Sequence, residues 1–519
     1  MPLDQITHDE LPYTCNAMPY AHPQHLATIA TLFGMKPQPP STARILELGC
    51  CDGSHLVAIA YTLPQAHCWG VDLSATNIAH AQTMVEYLGL TQVTLKTMNI
   101  LEIDTSFGQF NYIIAHGIYS WVTPAVQQKI LQLCQQLLTP DGVAYISYNT
   151  QPGWQFRQTV RDMMHYHTSH FPNTTNPNEP LKNLLEFFTQ ATAQAKEPYS
   201  QFAHQEINQC RQLPESFLYD TFWQENPQPE YFYQFIEKAR QHGLEYLSDA
   251  FVHTMLIDSF PPAVAQGLQM FKHDLIHQEQ MMDFLRHRHF RHTLLCHQNQ
   301  SLTRTLSANS LQSFFISTSL QPIPDTAGQQ FGNRKGRVST DNPLIKKTFT
   351  YLNQQWPSAI ALDELLTAVT DETHQAIDQA DQATIKDTLL KCYTMGLIEF
   401  QLTPSQFTTT VSEKPQASPL ARWQVQQGLP QVTNQRCEVV KIENQIALRF
   451  LPYLDGHHDH QALLNLLTQW VTQGIVKINV THQETGEPIT LSEAHRQTIF
   501  KNVLEEVLTL TARAALLIA

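Results

Sequence analysis

Basic side chains are scarce in this chain. Its 32 lysines and arginines face 46 aspartates and glutamates, a net charge of −14, so a strongly basic face for nucleic acid is not indicated. Charged residues of both signs make up only 15%, yet 42% hydrophobic residues keep the composition globular rather than disordered. No uninterrupted apolar run approaches the ~20 residues that a membrane helix needs. The apolar end, Val507 to Ala519, is broken by Thr509, Thr511 and Arg513 and reads as a buried last helix. The start, M-P-L-D-Q-I-T-H-D-E, carries acids and lacks the apolar core of a signal peptide. Nine cysteines, an odd number without paired spacing, speak against a disulfide framework and for the reducing cytoplasm. The groups His165/His167/His170, His287/His289/His292 and His457/His458/His460 lack the cysteine or carboxylate spacing of a zinc signature, so no metal is assigned. No internal repeat is visible.

At 519 residues the chain exceeds one ordinary core, and two or three domains are expected. The organising stretch is Arg44 to Gly53, R-I-L-E-L-G-C-C-D-G. Ile45, Leu46 and Leu48 form an apolar strand, Gly49 and Gly53 bracket a tight turn, and a helical pattern follows from Ser54. A second strand ends at Asp72, where an acid can accept the hydroxyls of a ribose. Alternating strands at 44–48, 67–71, 93–97, 111–115 and 142–148 with helices between them predict a doubly wound parallel sheet. Residues 1–40 read as an N-terminal cap with one helix. The sheet domain spans 41–300, with insertions near 155–229 and 258–288; further strands are expected at 244–247, 253–257 and 290–297. Residues 301–341 read as a linker, 342–405 as a winged-helix-like unit of helices and a strand, and 406–519 as a small C-terminal unit opening on a hairpin around Val439 to Leu448.

Ligands in such sheets sit at the carboxyl ends of the strands. The residues found there are Glu47, Gly49, Cys51 and Gly53 after the first strand, Asp72 and Leu73 after the second, Asn99 and Ile100 after the third, and His116 and Gly117 after the fourth. Asn99 can meet an adenine amine while Ile100 packs on the ring. The absent third glycine of the dinucleotide fingerprint counts against NAD. Beyond them lie Tyr119 and Trp121 in A-H-G-I-Y-S-W-V-T-P, then Tyr148, Asn149 and Trp154 after the fifth strand. We take Tyr119, Tyr148 and Tyr20 as candidates to orient an incoming nucleophile, and Trp121, Asn149 and Trp154 as candidates to bind it.

The motifs I-L-E-L-G-C-C-D-G (45–53), H-G-I-Y-S-W-V (116–122), S-Y-N-T-Q-P-G-W (147–154) and D-F-L-R-H-R-H-F-R-H-T-L-L-C-H (283–297), with N-A-M-P-Y-A-H-P (16–23), carry a specific resemblance. The chain resembles class I S-adenosylmethionine-dependent methyltransferases with a regulatory domain, and within them is similar to the rickettsial protein lysine methyltransferases that modify outer membrane protein B. Cys51 departs from the glycine common in the first motif. The resemblance implies an α/β fold, a Rossmann-like methyltransferase sheet with helical insertions plus a mostly helical winged-helix-like C-terminal region. It also implies the cofactor S-adenosyl-L-methionine and methyl transfer to lysines of a protein substrate; the lack of a long apolar run speaks against membrane insertion. Two alternatives stay open: a small-molecule N- or O-methyltransferase, and a non-catalytic adaptor with a vestigial cofactor site. The oligomeric state is not legible.

Overall fold

The computed structural model describes residues 15–170, 178–213, 227–324, 329–373, 378–404, 407–429, 431–478 and 493–518. Contacts divide these into two units, one running from 25 to 305 with Cys15, the other from 306 onward with 16–24.

The first unit is built on a seven-stranded sheet. Its strands are β1 (Arg44–Leu48), β2 (His67–Asp72), β3 (Val93–Thr97), β4 (Phe110–Ala115), β5 (Leu138–Asn149), β6 (Leu244–Asp249) and β7 (Phe290–His297), ordered β3-β2-β1-β4-β5-β7-β6. The strands β1 to β5 pair in parallel, and β7 runs antiparallel between β5 and β6. Central strands covered on both faces read as continuous apolar runs, and Ile45, Leu46, Leu48, Ile113, Ile114 and Ala115 are all buried. The strand order reverses between β1 and β4, where Glu47 pairs with Ile114. That reversal opens a crevice at the carboxyl ends of these strands.

The covering helices follow the sequence periodicity. They are α1 (Pro23–Leu32), α2 (Ser54–Thr62), α3 (Ala75–Leu88) and α4 (Pro124–Leu137). Ser74 caps α3 by accepting from the Asn77 amide, and Gly89 ends it at φ 65°. The first insertion contributes α5 (Trp154–His170), α6 (Asn178–Thr192) and α7 (Pro198–Arg211), which close a small core of Phe156, Val160, Met164, Leu181, Leu185 and Ile207. The helix α8 (Phe232–Gln241) buries Phe232, Phe235, Ile236 and Ala239. The second insertion holds α9 (Pro262–Leu268) and α10 (Leu275–Arg286).

The expected strand at 253–257 is instead a 3₁₀ turn, Val252–Met255. The Thr254 carbonyl accepts from the Arg286 guanidinium, and the His253 carbonyl from the Leu256 amide, rather than from a neighbouring strand.

The second unit begins inside the stretch expected to be linker. Residues 301–341 carry a 3₁₀ helix (Ala308–Ser313) and the strands β8 (Phe315–Ser317), β9 (Gln321–Pro322), β10 (Gln330–Asn333) and β11 (Gly336–Ser339). Strands this short show no alternation, which hides them in the sequence. The strand β8 pairs with β12 (Ile360–Ala361) and β13 (Glu399–Gln401) beside α11 (Pro343–Gln355), α12 (Leu362–Thr373) and α13 (Gln379–Thr394). After α14 (Pro419–Gln426) the hairpin falls at β14 (Gln431–Thr433) and β15 (Val439–Lys441), earlier than expected, because Asn444 caps a helix, α15 (Gln445–Phe450), in its place. The helices α16 (His460–Thr472) and α17 (Glu493–Arg513) close a core of Phe450, Leu463, Leu467, Trp470, Leu504 and Val507.

Candidate active site

The turn after β1 is held open by its backbone. Gly49, Cys51 and Gly53 all adopt positive φ, at 70°, 51° and 78°. Only glycine does so without cost, and at Gly49 a Cβ would lie 2.6 Å from Ile118 Cγ2. Cys51 takes the left-handed conformation despite its side chain, at a cost of about 1–2 kcal/mol. Its amide donates to Asp72 Oδ2 at 2.8 Å, while the Ser74 amide donates to Oδ1 at 2.9 Å. Asp72 is therefore aimed by two backbone amides, and each carboxylate oxygen keeps a second lone pair for a ligand.

Glu47 is buried at the end of β1 and binds His55 Nδ1 through Oε1 at 2.9 Å. Its Oε2 is buried without a hydrogen-bond partner among the described residues. An orphaned carboxylate oxygen beside an open left-handed turn, with Asp72 across it, suits a cationic nucleoside such as S-adenosylmethionine. Leu73 is exposed, and Asn99 Oδ1 accepts from the Leu101 amide ahead of Ile100, both residues half-buried. Beside the turn, Cys15 hydrogen-bonds Cys51, which with burial pushes the Cys15 thiol well up. Asp52 completes a trio whose ligand atoms lie within 4.8 Å of one another.

The fourth loop is tied down by hydrogen bonds. His116 Nδ1 lies 2.9 Å from Tyr145 Oη and 3.0 Å from Ser147 Oγ, and Ser147 also accepts from the Gly117 amide at 2.8 Å. Tyr145 Oη continues the chain to His292 Nδ1 at 2.7 Å. Burial pushes the His116 imidazole well down and takes His292 to about 4, so both rings are neutral near pH 7.

The candidate tyrosines after the fourth strand and on the fifth are packed against a helix. Tyr119 is fully buried and Tyr148 almost so, their rings packed on Phe235 of α8 at 5.2 and 4.1 Å. Side chains alternate along a strand. Tyr148 thus lies on the face opposite Ser147, against α8, and its hydroxyl meets Thr293 Oγ1 at 3.2 Å. Burial pushes both phenols far up. The two candidates for orienting a nucleophile are thus buried phenols, and the Tyr119 hydroxyl has no hydrogen-bond partner among the described residues. Tyr20 belongs to the segment 16–24 of the other unit, where burial raises its phenol to about 12. Trp121 is half-buried and packs edge-on against the buried Trp154, with ring centres 5.8 Å apart. The Asn149 amide is anchored to Ser120 Oγ at 2.8 Å, and its own Nδ2 is buried without a partner among the described residues.

Sequence reasoning missed His55, Tyr145 and His292. Their signal is positional: Tyr145 and Ser147 alternate on one strand face, and His292 pairs with Ser147 across β7.

A doubly wound sheet of this strand order, with a glycine turn after β1 and an aimed acid after β2, defines a class I methyltransferase that uses S-adenosylmethionine. Family models agree: "Methyltransferase domain" matches residues 45–142, "Predicted methyltransferase regulatory domain" 214–297, and "PKMT, C-terminal winged helix domain" 413–516. The last lies later in the chain than the 342–405 unit for which the pattern suggests a winged helix. The protein RP789 of Rickettsia prowazekii is 33% identical over 528 aligned residues, covering 97% of this chain and 93% of that one. The protein RP028 of the same organism is 38% identical over 244 residues, 47% of this chain and 98% of that one. The structure of PKMT2 from Rickettsia typhi in complex with AdoHcy superposes with a TM-score of 0.89 at 28% identity, covering 98% of this chain and 100% of that one. The chain belongs to the family of RP789, S-adenosylmethionine-dependent methyltransferases with a regulatory domain and a PKMT-type winged helix. Among the described residues no helix is long and apolar enough to cross a membrane.

Proposed function

We propose that this methyltransferase modifies lysine side chains of a protein substrate in the cytoplasm. The observation that carries this reading is the likeness to PKMT2 over nearly the whole of both chains, sheet, insertions and C-terminal region together. A small-molecule enzyme or a vestigial adaptor is not favoured by it. The nine cysteines are free, in keeping with a reducing compartment.

In this reading Asp72 takes the ribose hydroxyls and Glu47 faces the positive end of the cofactor. Leu73, Asn99 and Ile100 flank the adenine, and Gly49, Cys51, Gly53, His116 and Gly117 let backbone and ring approach. When bound, the cofactor would supply a sulfonium methyl: a neutral amine would bond to its carbon in line as the carbon–sulfur bond breaks, with the thioether as leaving group and the positive charge passing to nitrogen. A lysine with a reference pKa of ~10.4 arrives protonated and must lose that proton to attack. The half-buried Trp121, edge-on to Trp154, offers an aromatic face that holds the alkyl-ammonium stem, with Asn149 as a further substrate-binding candidate. With Tyr119 and Tyr148 in the core, positioning and desolvation carry the rate.

The test incubates the protein with radiolabelled S-adenosylmethionine and a lysine-rich protein, then locates the label by mass spectrometry. We expect methyl on lysine Nζ and none after the lysines are chemically blocked. Label confined to small molecules, or on other residue types, sinks the lysine reading.

A further inference from the structure

We infer that Glu206, His287 and His289 form a binding site for one divalent transition-metal ion of the zinc class, tying the first helical insertion to the catalytic sheet. Glu206 comes from α7; His287 and His289 come from the turn between α10 and β7. One ligand atom from each of the three lies within 4.8 Å of the other two.

His289 Nε2 and Glu206 Oε2 are 3.5 Å apart, beyond a normal hydrogen bond. Two ligands on a tetrahedral zinc ion with bonds of about 2.1 Å stand about 3.4 Å apart, so this pair already has the spacing of shared ligation. Glu206 is 4% exposed, and its Oε2 has no hydrogen-bond partner among the described residues; His289 Nδ1 is buried and unpartnered as well. A buried carboxylate oxygen left without a donor is costly, and a cation between it and the imidazoles removes that cost.

Presentation of the ligands fits. His287 sits at φ 50°, the left-handed position that ends α10, and its ring meets His289 edge-on at 4.9 Å and Phe202 at 5.0 Å. Phe202 and Glu206 are one turn apart on α7, so one helix face supplies both an apolar wall and a ligand. Two imidazoles and one carboxylate are a donor set that suits zinc and its neighbours and leaves a position open. His289 first, then His287 and Arg157, are the groups whose positive charge competes with a metal for Glu206.

The site also touches the active-site wall. The His289 carbonyl accepts from the Thr150 amide at 2.9 Å, and the Arg288 carbonyl accepts from Gly153 at 3.0 Å. A Cβ on Gly153 would lie 2.4 Å from that carbonyl oxygen. The turn that bears both histidines is thus pressed against the loop that carries Trp154.

The test uses full-length protein made without a histidine tag and stripped with chelator, titrated with Co(II) and then Zn(II). We expect one equivalent of Co(II) with visible d–d absorption, bleached by Zn(II), and a rise in melting temperature. Glu206→Gln and His289→Gln, checked for retained AdoHcy binding and circular dichroism, should lose more than the about 10–100-fold in affinity typical of removing an outer partner. Cys15→Ser should leave binding unchanged. No saturable binding by the wild type overturns the proposal. So does equal affinity in Glu206→Gln, or loss in Cys15→Ser with a thiolate charge-transfer band, which moves the ion to the Cys15, Cys51 and Asp52 trio.

Discussion

Asp72 does two jobs with one carboxylate. It holds the Cys51 and Ser74 amides, and in the proposed complex it takes the ribose. Asp72→Ala should weaken AdoHcy binding by about 1.5–3 kcal/mol, the worth of hydrogen bonds to a charged group, read by calorimetry. Unchanged affinity would sink the ribose assignment. His292 makes a second, independent prediction. Burial lowers its folded pKa to about 4, with Arg288 adding to the fall and Asp249 opposing it, whereas an unfolded histidine titrates near ~6.5. Between those values the unfolded chain binds the extra proton, so stability is complete above pH ~6.5 and is lost as pH falls toward ~4, by roughly 3 kcal/mol. Urea midpoints at pH 7 and pH 5 should differ, and His292→Gln should narrow the gap. The same slope in that variant would refute the assignment. At this scale the sequence shows which loops hold residues of the site, but not which way each side chain points. Tyr148 and Ser147 are neighbours on one strand, and only the packing of α8 against one face shows that Tyr148 belongs to the core.

The elements were far more legible. The strands β1 to β4 are marked to within a residue, β1 and β4 as apolar runs buried on both faces and the edge strand β3 by alternation. The antiparallel β6 and β7 were visible as strands, but their order was not: it is set by long-range pairing across the insertions. Glu206 escaped for the same reason, since it meets His287 and His289 only when α7 folds back on the sheet. What locks the second insertion is a charged cluster. Arg291 of β7 donates to Asp283 Oδ2 at 2.7 Å and to Glu279 Oε2 at 2.9 Å on α10, all fully or almost fully buried, and lies 3.5 Å from the Phe232 ring of α8. Breaking one partner of a buried pair costs about 3–5 kcal/mol because the other charge stays behind. Arg291→Leu should therefore lower stability by that amount in equilibrium denaturation, and adding Asp283→Asn should recover part of it. A loss below ~1 kcal/mol would show that the cluster does not lock α10.

On the scale of the molecule, the two units close separate cores, one around the sheet and the other around Phe450, Leu467, Trp470 and Val507. A cooperative transition belongs to a core rather than to a chain, so calorimetry should resolve two unfolding steps. The residues proposed for the cofactor, from Glu47 to Gly117, all lie in the first unit. A ligand that binds only the folded form adds RT ln(1 + [L]/Kd), about 2.7 kcal/mol at a hundredfold excess over Kd. AdoHcy should accordingly raise one transition and leave the other in place, and Asp72→Ala should abolish that shift at the same ligand concentration. A single transition that moves as a whole would mean that the units unfold together and that cofactor binding is felt as far as the winged helix.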